Sequence, residues 1–282
     1  MTAQSTTRPV GVDELRRAWV AVQSGDFRQP IHPSPPTQAT PPGASSAERL
    51  TPEVWRPATA EMAVPVVGAT ASSGATTLAL AIATAFGNPA RVVELAAPSR
   101  SGLVAASSVE LGSDDHGWVH GSRDQVRLDR LGNMGGQPDT VPTPPPAATP
   151  LLTVIDIGSD IDSVLAGGGW MTKLLTDAPA VVVVTRATVP GLRRLECCLH
   201  LIGPDRALVA VLGPGRRHWP RLVAQSLGPL TTAVIDAGRL VDIPENRRLG
   251  VSGLTPEPLP ASLLSKAAVL LPLIEGTNHR DR

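Results

Sequence analysis

Gly74, Thr76 and Thr77, in a run of small residues, and Asp156, at the end of an apolar run, are groups of the kind that hold a phosphate and a divalent cation. Backbone N–H groups of a small-residue loop can turn inward on an anion, and the N-terminus of a following helix adds its partial positive charge. Residues 64 to 86 read VPVVGATASSGATTLALAIATAF. Val64, Val66 and Val67 predict a short strand, and the loop from Gly68 to Thr76, which contains Ser72, Ser73, Gly74 and Ala75, is built of small residues. The Ala/Leu-rich segment after it predicts a buried helix.

The phosphate-loop pattern G-x-x-x-x-G-K-[ST] would place its first Gly at position 69 and its Lys at position 75, where this chain has Ala69 and Ala75. The frame of the loop is present without its cation. A small-residue run ahead of an Ala-rich helix is also what tight strand-to-helix packing requires, so the loop alone leaves both readings open. Residues 151 to 158, LLTVIDIG, add a second signal: a continuous apolar run ending in Asp156 reads as a buried parallel strand that delivers a carboxylate to the sheet's carboxyl edge. That is the place from which a Walker B aspartate holds a Mg²⁺-bound water beside the phosphates.

Those groups need a frame, and composition bounds it. The 282 residues suffice for one large α/β domain plus an arm, and 42% of them are apolar. Aromatics make up only 2%, with no Tyr, so the core must be Ala, Val and Leu, and stacking on nucleic-acid bases is disfavoured. Basic and acidic residues balance at 25 each, so no global field draws the chain to DNA or anionic lipid. Cys197 and Cys198 are adjacent in a predicted helix, where they cannot bridge each other, and both read as buried thiols of a reducing compartment. No apolar run reaches the ~18 residues of a membrane span, and Met1 is not followed by a basic and then apolar leader. A cytoplasmic protein is expected.

Along the chain, Val12, Leu15, Trp19 and Val22 form one helical stripe, so residues 1–28 are read as an amphipathic docking peptide. Residues 29–60 are read as a Pro-rich disordered linker, with Trp55 either pinning it to the main domain or lying in an exposed tail. Residues 61–276 are expected to form the main domain and 277–282 a polar tail. Within that domain a strand is predicted at 91–95, a hairpin or sheet-edge insertion at 112–133, a helix interrupted by Gly167 to Gly169, a strand at 180–185, a helix at 190–201 and strands at 207–212 and 233–236. A final apolar helix over 260–274 is expected to pack on the core. Asp114, Asp115, His116 and His120 lack helical ligand spacing and do not read as a metal site.

Aligned on Gly74, Thr76 and Thr77, residues 70 to 77 (TASSGATT) resemble the deviant Walker loop K-G-G-x-G-K-T-T of the ParA/MinD group of P-loop ATPases. Thr70 and Ala75 stand where that loop has its lysines, Glu94 and Ala96 where the family's second strand ends D-x-D, and Gly213 where an Asn reads adenine. The resemblance covers about 64 to 275. It implies a doubly wound, mainly parallel α/β sheet of P-loop NTPase type with elements alternating β and α. It also implies ATP and Mg²⁺ as weakly held cofactors, cradled by Gly68, Ser72, Ser73, Gly74, Ala75, Thr76 and Thr77. Thr76 and Asp156 would be the metal ligands and Asp156 the catalytic carboxylate.

Three functions follow. The first is a degenerate ParA/MinD-like scaffold, a pseudo-ATPase serving plasmid or chromosome segregation, conjugative transfer or polar placement, with a protein partner bound through the N-terminal helix and a homodimer left open. The second is an active ATPase in which Arg100, Arg186, Arg216 or Arg217 replaces the lost lysine. The third is non-specific DNA binding through Arg193–Arg194, Arg216–Arg217 or Arg247–Arg248, which the zero net charge disfavours. Loss of both loop lysines and of the adenine contact favours the first.

Overall fold

The structure, a computed structural model, describes residues 55–58, 61–96, 102–132, 141–146 and 152–278. The helix expected over 12–24 and most of the Pro-rich segment lie outside the described residues.

Nine strands form one sheet: β1 (Met62–Gly68), β2 (Ala90–Glu94), β3 (Val109–Ser113), β4 (Trp118–Arg123), β5 (Val126–Leu131), β6 (Leu152–Ile157), β7 (Val181–Arg186), β8 (Ala207–Leu212) and β9 (Leu240–Ile243). Their spatial order is β3-β4-β5-β2-β6-β1-β7-β8-β9. β1 lies between β6 and β7, parallel to both, and Gly68 at its end is in register with Val184. Every pairing from β5 to β9 is parallel. The expected insertion is larger than foreseen and breaks the strict β/α alternation: β3, β4 and β5 pair antiparallel at one edge, and only β5 joins the parallel sheet.

The helices are α1 (Ala75–Ala85), α2 (Ile161–Gly167), α3 (Gly169–Asp177), α4 (Val189–Ile202), α5 (Arg221–Ala224), α6 (Pro229–Asp236), α7 (Arg247–Ser252) and α8 (Ala261–Asn278). Alternation along the central strands sorts two cores. Val64, Val66 and Val154 face α1 and α8, whereas Val67, Ile155 and Val183 face α2 to α6. Helix α1 buries six consecutive residues, Leu78 to Ala83, because it is enclosed between the sheet and α8. A helix packed on both sides needs apolar residues all round, which explains its composition. Leu263, Ala267, Leu270 and Ile274, one stripe of α8, complete that layer.

Two expectations are corrected. Residues 233–236 are the end of helix α6, and the last strand is β9. Pro229 occupies the first turn of α6, and the Glu196 carboxylate accepts from the backbone N–H groups of Leu230 (2.7 Å) and Thr231 (3.0 Å), so a capped helix overrides the β-branched run. Cys197 is exposed on α4, whereas Cys198 is buried, and that burial pushes its thiol up to about 11. The Gly167 to Gly169 break divides α2 from α3, with Gly168 and Gly169 at positive φ.

On the α2–α6 face a buried charge cluster ties distant segments to the sheet. Arg91 donates from Nε to Thr153 Oγ1 at 2.8 Å and from Nη1 to the Pro145 carbonyl at 2.7 Å, and it pairs with Glu61 at 3.1 Å. His120 uses Nδ1 on Asp129 at 2.8 Å. Trp55 packs on Trp170 with ring centroids 5.9 Å apart, so the end of the Pro-rich segment is pinned to α3. Among the described residues no helix is long and apolar enough to cross a membrane.

Candidate functional site

The loop after β1 leaves the sheet at its carboxyl edge and turns straight into α1. The Ala69 N–H bonds the Val184 carbonyl at 2.8 Å, holding the loop's first residue to β7. The backbone then folds back on itself. A Cβ at Gly68 would fall 2.5 Å from Ser73 Oγ and 3.1 Å from the Thr70 carbonyl oxygen, so any larger residue there would have to displace the Ser73 side chain. Ser72 (φ 55°) and Gly74 (φ 92°) are both left-handed, and Gly74 caps α1. Left-handed residues set within a tight turn bring successive N–H groups to one side, the geometry of an anion cradle. Ser72 costs strain that a glycine would not, of the kind that accumulates at functional loops. Ser73 is buried, Ser72 is exposed at the tip, and Gly74, Ala75, Thr76 and Thr77 are half-buried.

Strand β6 brings Asp156 to the same edge. The Thr76 hydroxyl, in the first turn of α1, lies beside the Asp156 carboxyl and favours its charged form. Across the sheet Asp156 stands in register with Glu94, the last residue of β2, and the two carboxylates are 1% and 0% exposed. Glu94 Oε1 accepts from the Gly102 N–H at 3.1 Å. Burial pushes Asp156 up to about 7, the Thr76 hydroxyl opposing and the Glu94 charge adding to the rise. Asp156 Oδ2 is buried without a hydrogen-bond partner among the described residues. An orphaned carboxylate oxygen beside a hydroxyl is a hard-oxygen donor set of the kind Mg²⁺ takes. The residues present therefore fit the cation, and the loop amides fit a phosphate.

The positive charge that normally accompanies such a loop is missing. Ala75 sits at the start of α1, and two of the arginines at neighbouring strand ends are engaged by acids, while Arg217 stands exposed without a side-chain partner among the described residues. Arg186 pairs with Glu245 at 2.5 Å, and Arg216 with Asp242 at 3.4 Å. Arg100 lies outside the described residues. At Gly213, where an adenine-reading Asn was sought, φ is 149° and a Cβ would come 2.7 Å from that of Ala187, so the backbone there leaves no room for a side chain.

Sequence reasoning named Arg216 and Arg217 but missed the residues that meet them. Gly215, Arg216, Arg217, His218 and Asp242 line a cleft of about 440 Å³ at the carboxyl ends of β8 and β9. The available signal was the run from Gly213 to Pro220, GPGRRHWP, bracketed by Gly and Pro directly after a strand.

No protein-family model matches the sequence, and no curated protein does either. Among solved structures, the chain is similar to the MinC:MinD cell division protein complex of Aquifex aeolicus at 14% identity, covering 75% of this chain and 96% of that one (TM-score 0.46). It is similar to a putative plasmid partition protein of Borrelia burgdorferi bound to AMPPNP at 10% identity, over 79% and 99% of the two chains (TM-score 0.42). It is also similar to the cobyrinic acid a,c-diamide synthase of Mycobacterium smegmatis with bound ADP and magnesium at 15% identity, over 79% and 97% (TM-score 0.47). These likenesses are of architecture. The strand order and the placement of the loop define that architecture in their own right: a doubly wound, mainly parallel sheet of P-loop NTPase type.

Proposed function

We propose that the chain is a ParA/MinD-like P-loop protein that retains the nucleotide-site frame as an interaction and positioning scaffold, holds Mg-nucleotide weakly and turns it over negligibly. The observation that carries this reading is the buried Asp156, with one carboxylate oxygen unpartnered among the described residues and Thr76 beside it, beneath a loop whose residue 75 is Ala. In this reading the amides of the Gly68 to Thr77 loop cradle the phosphates, and Thr76 and Asp156 hold Mg²⁺, which when bound neutralises phosphate charge. A loop lysine contributes charge-assisted hydrogen bonds of about 1.5 to 3 kcal/mol each and stabilises the charge developing in phosphoryl transfer. With both lysines absent and Arg186 and Arg216 paired to acids, that support is lost.

The N-terminal helix completes the proposal as the element that captures a protein partner, its Trp19 an anchor of the type that dominates binding energy. Segregation, conjugative transfer and polar placement are the processes in which the resembled family works. Titration of the full chain with Mg-ATP is the test: weak binding with no phosphate release is expected, and low-micromolar affinity with turnover would sink the scaffold reading. Deleting residues 1–28 is expected to abolish partner capture while leaving the melting temperature unchanged. A several-degree drop would instead make the helix part of the folded core.

A second reading rests on register. Arg186 lies two residues beyond Val184, the β7 partner of Gly68, at the end of the strand that adjoins the loop. If Mg-ATP binds tightly, loss of that binding in Arg186→Ala identifies it as the substitute cation.

A further inference from the structure

The cleft at the carboxyl ends of β8 and β9 has features that the nucleotide-site frame does not use. Its loop is held from several sides. The Trp219 indole N–H donates to the Pro214 carbonyl at 2.8 Å, and the His218 N–H to the Gly215 carbonyl at 2.8 Å. Asp242, on β9, accepts from both the backbone N–H and the Nε of Arg216 at 3.4 Å. Trp219 is buried, so the turn is anchored from below while Arg217 and His218 stand exposed above it.

Charge within the cleft is divided unevenly. Asp242 faces Arg216, whereas neither Arg217 nor His218 has a side-chain partner among the described residues. One guanidinium and one imidazole are thus presented from a fixed turn, beside an Asp242 whose Oδ2 is taken by Arg216 and whose Oδ1 is buried without a partner among the described residues. A planar guanidinium matches the oxygens of a phosphate two at a time, and a turn fixed in advance reduces the ordering cost of binding. The volume of about 440 Å³ falls within the range of roughly 300–1,000 Å³ typical of small-molecule sites.

We propose that this cleft is an anion site separate from the Gly68 to Thr76 loop, binding a small phosphorylated compound through Arg217 and His218, with Arg216 and Asp242 fixing the turn. Asp242 is a positioning residue; Arg217 and His218 are the ligand contacts. The site stands whether or not the nucleotide-site frame binds Mg-ATP.

Inorganic pyrophosphate, titrated calorimetrically into the full chain without Mg²⁺, tests it. Saturable one-site binding is expected, weakened about tenfold or more in Arg217→Ala and less in Arg217→Lys. Ala75→Asp, which sets a carboxylate at the loop's helix start where the amides would meet a phosphate, should leave it unchanged, which separates this site from the loop. Both Arg217 and His218 are exposed, so melting curves of Arg217→Ala and His218→Ala should match the parent chain. Absence of binding, or an Arg217→Ala affinity within about twofold of the parent, overturns the proposal. So does loss of pyrophosphate binding in Ala75→Asp alone. A duplex oligonucleotide that binds more tightly than pyrophosphate, and does so through Arg217, would reassign the cleft to nucleic acid and equally overturn the small-ligand assignment.

Discussion

Thr76, in the first turn of the helix that follows the loop, stands beside the buried Asp156, at the end of a strand from the later half of the chain, and favours its charged form. The pair links the phosphate-type loop to the carboxylate that would hold its cation. It also leaves one carboxylate oxygen buried and unpartnered among the described residues. A packing-only turn would not need that group, since an apolar residue at 156 would fill the same strand position without the desolvation cost.

Restoring the missing charge tests the loop directly. Ala75→Lys is expected to tighten Mg-ATP binding about tenfold or more, in line with about 1.5 to 3 kcal/mol for a charge-assisted contact. Calorimetry reads the outcome, and an affinity unchanged by the substitution would show that the loop amides do not face a phosphate.

The raised proton affinity of Asp156 has a definite sign in stability. Its folded value of about 7 lies above the ordinary value of 3.8, so the folded state binds more protons between those limits. Stability contributed by the neutral acid is therefore present at low pH and declines as pH rises from about 4 through about 7. Denaturant unfolding at pH 5 and pH 8 should show the loss in the parent chain and a flatter profile in Asp156→Asn. A parent chain that gains stability over this interval while Asp156→Asn does not would contradict the assignment.

Gly228 and Glu196 form a structural cap that can be broken from either side. A Cβ at Gly228 would stand 2.3 Å from the Glu196 carboxyl carbon, so Gly228→Ala must expel the carboxylate that caps α6. Removing either partner is expected to cost about 1–3 kcal/mol, or several degrees of melting temperature. Because both changes destroy the same contact, Gly228→Ala combined with Glu196→Ala should cost less than the sum, and full additivity would refute the coupling.

Trp55 gives a milder outcome. Trp55→Ala removes the tilted ring contact with Trp170, for which about 0.5–1.5 kcal/mol beyond lost burial is expected. An unchanged melting temperature would mean that the Pro-rich segment is not held there.

What could be read from the sequence was what depends on local pattern. The Val-rich runs of β1 and β7, the small-residue loop, the apolar approach to Asp156 and the glycine break between α2 and α3 all declare themselves within a few residues. Residues 233–236 misled because four apolar and acidic residues fit a strand as well as a helix end. The decisive partner, Glu196, is remote in sequence. Cys197 differs in fate from Cys198 because α4 turns Leu195, Cys198, Leu199 and Ile202 to the sheet and leaves Cys197 outside. The Arg216–Asp242 contact that shapes the cleft joins two strand ends and has no local signature.

The central position of β1 fixes when, during synthesis, the site can exist. Its neighbours in the sheet begin at Leu152 and Val181, so a growing chain that has released β1 holds Val64, Val66 and Val67 without either partner strand. The antiparallel pair β4 and β5, joined by a short turn, can close long before that. Only after Val184 has left the ribosome can Ala69 make its backbone bond, so the loop after β1 is pinned only once the seventh of these nine strands has emerged. Until β6 emerges the nascent chain presents β1 as an unpaired apolar strand, the kind of surface on which chaperones act and aggregates start.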